Sequence, residues 1–112
     1  MATSGEDQTS EVNHVEQYSD NVHIMKANNQ LLELQTLVRD RVTPRNDFKF
    51  YADRLIRLTV EAALDQLPYT SCQVITPTGC SFEGVGHEKK TVCVSLMRSG
   101  EVMEKGIREC CR

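Results

Sequence analysis

The chain has 112 residues, enough for one small domain and too few for two. Its 39% hydrophobic and 26% charged residues are ordinary for a soluble globular protein, and no apolar run approaches the roughly 18 residues a membrane helix needs. The net charge of −3 hides an asymmetry: residues 1–20 hold five acids and no Lys or Arg, and the rest holds 13 basic and 11 acidic residues, too even a balance for a nucleic-acid surface.

Residues 1–20 are polar and poor in apolar side chains, which predicts a disordered acidic tail. They lack the basic and apolar regions of a secretory signal, so a cytoplasmic or nuclear setting is expected. Residues 21–112 read as the folded unit. Residues 21–25 suit a short strand or an extended lead-in. From Asn29, Leu31, Leu34, Leu37 and Val38 recur at helical spacing until Thr43-Pro44 breaks the pattern.

A second helix follows, with Asn46 or Asp47 as its cap. Phe48, Ala52, Leu55, Ile56, Thr59, Ala63 and Leu67 lie on one face, Leu58, Val60 and Leu64 widen it, and Pro68 ends it. The period then changes. Residues 72–76 read as a strand, 77–79 as a turn and 82–85 as the return strand. After a polar connection at 86–90, residues 91–97 are nearly all apolar, which predicts a strand buried on both faces in a parallel sheet. Ser99-Gly100 makes a turn, and 101–110 a last helix with Val102, Met103, Ile107 and Cys110 inward.

Five cysteines (Cys72, Cys80, Cys93, Cys110 and Cys111) form no C-x-x-C pair, and His14, His23 and His87 are not at ligand spacing. Zinc sites announce themselves by close ligand pairs, so reduced, partly buried thiols are expected and no metal site.

Two features carry candidate chemistry. The first is Arg98, where an apolar strand meets Ser99-Gly100 and a helix. Ligands of open α/β sheets bind at such strand ends, a helix N-terminus offers free N–H groups to an anion, and a guanidinium forks onto phosphate oxygens. A surface arginine beside a capping Ser99 fits the same pattern, and both readings stand on pattern alone. The second is the run Arg39, Arg41, Arg45, Lys49, Arg54 and Arg57, six bases in 19 positions. It suits a solvated helix face paired with Asp47 and Asp53, or an anion site that Lys89 and Lys90 join in space.

The stretch from Leu31 to Arg112, with the blocks FYADRLIRL and SLMRSGEVME, resembles the N-terminal half of animal uracil phosphoribosyltransferases. The resemblance implies an α/β fold, here an incomplete type I phosphoribosyltransferase-like fold with its N-terminal helices, hairpin, first buried parallel strand and following helix. It implies pyrimidine salvage, in which uracil and phosphoribosyl pyrophosphate give UMP and pyrophosphate with Mg²⁺. Arg98 matches the family arginine that contacts phosphoribosyl pyrophosphate. Arg45, Arg54, Glu88, Lys89, Lys90 and Thr91 match positions of a GTP site, where GTP is an allosteric effector or assembly signal. At 88–91 animal relatives often read Glu-Lys-Gly-Asn, and this chain lacks the glycine at position 90. Family members often assemble as dimers or tetramers, so a homo-oligomer is expected of the complete protein.

A type I phosphoribosyltransferase steadies its leaving phosphates with an acidic strand end and a Thr-Gly-Gly-Thr/Ser-like loop, where Mg²⁺ and backbone N–H groups act. That motif does not occur in these residues, nor do the uracil-reading loop and the second arginine. No catalytic residue and no Mg²⁺ ligand is therefore assigned here, and the chain is expected to be inactive alone. The alternatives are a non-catalytic GTP-binding or assembly module, and a truncated product that never folds stably.

Overall fold

The computed structural model describes residues 20–112, so all but the last residue of the predicted acidic tail lies outside it. Residues 22–28 form neither helix nor strand, which leaves the lead-in reading. Helix α1, Asn29–Arg39, starts where the apolar period starts. The Asn28 side chain accepts a hydrogen bond from the Leu31 N–H at 2.8 Å, satisfying one of the donors that a helix start leaves open. Its apolar stripe turns inward at Leu31 and Leu34, the latter fully buried. The Thr43 hydroxyl donates to the Leu37 carbonyl at 2.7 Å and ties the following connection back onto the helix.

Helix α2, Arg45–Asp65, is the longest element. Its cap position is Pro44, without a side-chain hydrogen bond, so neither Asn46 nor Asp47 caps it. The rigid φ of proline suits a helix entry and takes the place of the expected polar cap. The predicted apolar face is only partly covered: Val60 is buried, while Phe48 stays 46% exposed. The last turn tightens through N–H bonds from Gln66 to Ala63 and from Leu67 to Leu64, ahead of Pro68.

Strands β1, Tyr69–Ile75, and β2, Ser81–His87, form an antiparallel hairpin. Its register runs from Tyr69 opposite His87 to Ile75 opposite Ser81, longer than the predicted 72–76 and 82–85. The turn closes on Gly79 at φ 83°, and the Thr76 hydroxyl donates to the Cys80 carbonyl and accepts from the Cys80 N–H. The hairpin packs chiefly on itself, and the Tyr69 hydroxyl donates to the Leu64 carbonyl at 3.1 Å to anchor it to α2.

The segment 91–97 is not a strand. It joins no ladder, and Val92, Val94, Leu96 and Met97 are 82–84% exposed. A parallel strand is held only by neighbouring strands, and among the described residues the sheet ends at β1 and β2. The apolar sequence is thus present without the partners that would bury it.

Helix α3, Glu101–Cys110, has the predicted bounds. Ile107 and Cys110 are half-buried, but Val102, expected inward, is 65% exposed. It crosses α2 at buried Gly106, where an added Cβ would stand 2.7 Å from the Ile56 Cγ2 methyl. Ion pairs flank the crossing: Arg57 to Glu109 at 2.6 Å and Lys105 to Asp53 at 3.3 Å. Among the described residues the architecture is a small α/β unit of three helices and one hairpin, with its core on α1 and α2 at Leu31, Leu34 and Val60. Among the described residues no helix is long and apolar enough to cross a membrane.

Candidate functional site

Arg98 lies in the turn at 97–100, after a cis Met97–Arg98 peptide bond, and is exposed. Its guanidinium has no hydrogen-bond or ion-pair partner among the described residues. The position is thus open to a ligand, as the anion reading requires. The expected cradle beside it differs. The N–H groups of Gly100, Glu101, Val102 and Met103 already donate to the carbonyls of Leu96, Arg98, Ser99 and Gly100. Glu101 and Glu104 occupy the first turn of α3 and oppose an incoming anion. Ser99 does not cap the helix, because Gly100 holds the cap position without a side-chain bond.

Gly100 is needed for a close approach, but within the chain. A Cβ there would meet the Leu96 carbonyl oxygen at 2.5 Å and Ser95 Oγ at 2.7 Å. Ser95 Oγ is itself enclosed and makes no hydrogen bond. The strand-turn-helix joint is therefore packed tightly on itself, and Arg98 is the one predicted ligand group that projects from it.

A cavity of about 710 Å³ opens between the end of α2, the end of β2 and the end of α3. Glu88, Lys89, Lys90 and Thr91 all border it, so the structure brings these four predicted residues together. Arg45 and Arg54 are not brought to them. Arg45 begins α2, which reaches the cavity only at Leu64, and at 1.5 Å per residue these lie roughly 28 Å apart. Arg54 borders a separate recess of about 160 Å³ with Gln30 and Glu61.

His87 and Arg112 also face the larger cavity, and local pattern did not single them out. His87 is placed by the hairpin register opposite Tyr69, with ring centroids 4.5 Å apart, and the extended residues just past α3 bring in Arg112. Neither signal is local. With Lys89 and Lys90, Arg112 gives the rim three cationic groups, set beside the carboxylate of Glu88.

The cysteines divide by environment. Cys72, Cys80 and Cys93 are exposed, contrary to the expectation of partly buried thiols, while Cys110 and Cys111 are half-buried. Burial, then the neighbouring Glu61, pushes the Cys110 thiol up from its ordinary pKa. No three His, Cys, Asp or Glu side chains among the described residues converge to hold a metal ion.

An α/β unit with an unpaired arginine at a turn and a basic-rimmed cavity is the class that fold and site define. Residues 24–112 match the family described as Uracil phosphoribosyltransferase. The chain is 54% identical over 104 residues to a uracil phosphoribosyltransferase homolog of Danio rerio, covering 93% of this chain and 40% of that protein. It is 58% identical over 89 residues to the homolog of Gallus gallus, covering 80% and 32%. Over 92 residues it is 48% identical to uracil phosphoribosyltransferase 1 of Schizosaccharomyces pombe, covering 82% and 42%. The chain belongs to the uracil phosphoribosyltransferase family. It spans less than half the length of each of these relatives.

Proposed function

We propose that this chain is the N-terminal part of a uracil phosphoribosyltransferase-like protein of pyrimidine salvage, with an incomplete type I phosphoribosyltransferase-like fold. The complete protein joins uracil to phosphoribosyl pyrophosphate and releases pyrophosphate. The family match over 24–112 carries this reading, because it includes the turn that presents Arg98. An unpaired guanidinium at that turn supplies two parallel donors for phosphate oxygens, and it binds and orients phosphoribosyl pyrophosphate.

GTP is the regulatory ligand of this reading: Glu88, Lys89, Lys90 and Thr91 on the cavity rim form one part of its site, and Arg45 and Arg54, which lie apart from that rim on α2, would join it only across a contact between two copies of the protein. The complete protein is a homo-oligomer of the cytoplasm or nucleus. By itself the 112-residue chain forms no UMP, since none of its residues supplies the leaving-phosphate loop. A second reading, a non-catalytic GTP-binding or assembly module, is favoured by one observation: the cavity rim is formed, while the helix N–H groups beside Arg98 are occupied.

Two measurements test the reading. Radiolabelled uracil, phosphoribosyl pyrophosphate and Mg²⁺ are incubated with the purified chain, and no UMP is expected; magnesium-dependent UMP would overturn catalytic incompleteness. Calorimetry with phosphoribosyl pyrophosphate is expected to show binding that Arg98→Ala abolishes. Equal binding by both proteins would remove the substrate assignment and leave the second reading.

A further inference from the structure

Asp53 on α2 pairs with Lys105 on α3 at 3.3 Å, and Arg57 pairs with Glu109 at 2.6 Å. Both pairs join residues 52 positions apart, so α2 and α3 run in the same direction through their contact. On each helix the two charges are opposite in sign and one turn apart on one face. Between the pairs Gly106 meets Ile56, where an added Cβ would stand 2.7 Å from the Cγ2 methyl. One turn further along α2, Glu61 lies beside the Cys110 thiol.

These contacts agree on a single register. A slide of α3 by one turn, roughly 6 Å, sets like charges together. In one direction Glu109 reaches Asp53; in the other Lys105 reaches Arg57. The same slides bring Cys110 or Val102 to Ile56, where there is no room for a Cβ. Exposed ion pairs contribute little to stability, but the order of their charges selects a register through the arrangements it penalises.

Arg98 travels with α3. Its carbonyl accepts from the Glu101 N–H at 3.2 Å, and the Gly100 N–H donates to the Leu96 carbonyl at 2.9 Å. Residues 96–100 therefore continue into the first turn of the helix, and a slide of α3 along α2 carries the guanidinium with it. We propose that Asp53, Arg57, Lys105 and Glu109, with Gly106 between them, are positioning residues that place Arg98 for phosphoribosyl pyrophosphate by fixing the register of α3 on α2. This rests on the reading of Arg98 as the phosphoribosyl pyrophosphate contact. The FYADRLIRL block thus acts through the helix that SLMRSGEVME begins, with Asp53, Ile56 and Arg57 as its seat.

Charge exchange tests the register and its consequence separately. Nuclear Overhauser contact between the Gly106 α-protons and the Ile56 γ2 methyl reports the register in the 112-residue chain. Calorimetry with phosphoribosyl pyrophosphate on the complete protein reports its effect on the ligand. Asp53→Lys with Arg57→Glu is expected to abolish the native contact and weaken binding about tenfold or more, the worth of a lost charge-assisted contact. Adding Lys105→Asp and Glu109→Arg restores opposite charges, and both readouts are expected to return to native values. If the two-residue variant loses its helical signal, the four-residue exchange decides, since it must recover fold, contact and affinity together. Asn28→Ala, which weakens the fold away from α3, should leave the affinity unchanged. A native contact or native affinity in the folded two-residue variant, a four-residue exchange that recovers neither, or an equal loss of affinity in Asn28→Ala would overturn the proposal. Binding that Arg98→Ala leaves intact would instead remove the reading of Arg98 itself, and the proposal with it.

Discussion

Gly106→Ala places a methyl group where α3 crosses α2. The new Cβ would stand 2.7 Å from Ile56 Cγ2, with the Arg57 amide nitrogen and Ile56 Cβ at 3.8 Å. Carbon atoms in good contact sit about 3.5–4.0 Å apart, so something must move by nearly an ångström. Isoleucine in a helix has one strongly preferred χ1, and its γ2 methyl cannot swing aside cheaply. Overpacking of this kind costs about 1–3 kcal/mol, and replacing a helical glycine by alanine returns about 0.8–1.0 kcal/mol. The net expectation is destabilisation of about 1 kcal/mol, or a drop of roughly 4–8 °C in the thermal midpoint of a domain this size. Thermal unfolding followed by helical circular dichroism measures it. The sign should reverse in an Ile56→Ala background, where the methyl is gone and only the helix preference remains. A raised midpoint in the native background, or the same shift in both, would refute the crossing as drawn.

The remaining expectations use the same chain. Leu34 is fully buried, so Leu34→Ala should cost about 2–5 kcal/mol, and loss of the cooperative transition is the expected outcome in so small a core. Asn28→Ala removes the hydrogen bond to the Leu31 N–H and should cost about 1 kcal/mol, read as a lower midpoint in urea unfolding. For the proposed GTP site, Arg54→Ala should weaken binding in calorimetry by tenfold or more, since a charge-assisted hydrogen bond contributes about 1.5–3 kcal/mol. Unchanged affinity would remove Arg54 from the site.

Local elements were legible because their hydrogen bonds close within a few residues. The Leu31, Leu34, Leu37 and Val38 period marks α1, which ends at Arg39, ahead of the expected break at Thr43-Pro44, and 101–110 form α3 as expected. The hairpin was legible from its turn, but its extra length came from pairing that reaches Tyr69 and His87. The cap of α2 was misread because Asn46 and Asp47 favour caps by type, while Pro44 takes the position by its backbone. The motif blocks in 50–58 and 95–104 sufficed for family membership, since residue identity survives whatever the chain packs against.

Tertiary structure decided everything that needs a distant partner. By sequence, 91–97 is a strand buried on both faces; without neighbouring strands, its apolar side chains face solvent. Asp53 and Arg57 looked like partners within one helix face, yet each pairs with α3, 52 positions away. The cavity that gathers Glu88, Lys89, Lys90 and Thr91 with His87 and Arg112 is likewise built by three element ends that local periodicity cannot bring together. Sequence by itself determined the start of α1, the bounds of α3, the hairpin turn and the family. Burial and the company each charged group keeps were settled by packing, because both depend on which surfaces meet in space.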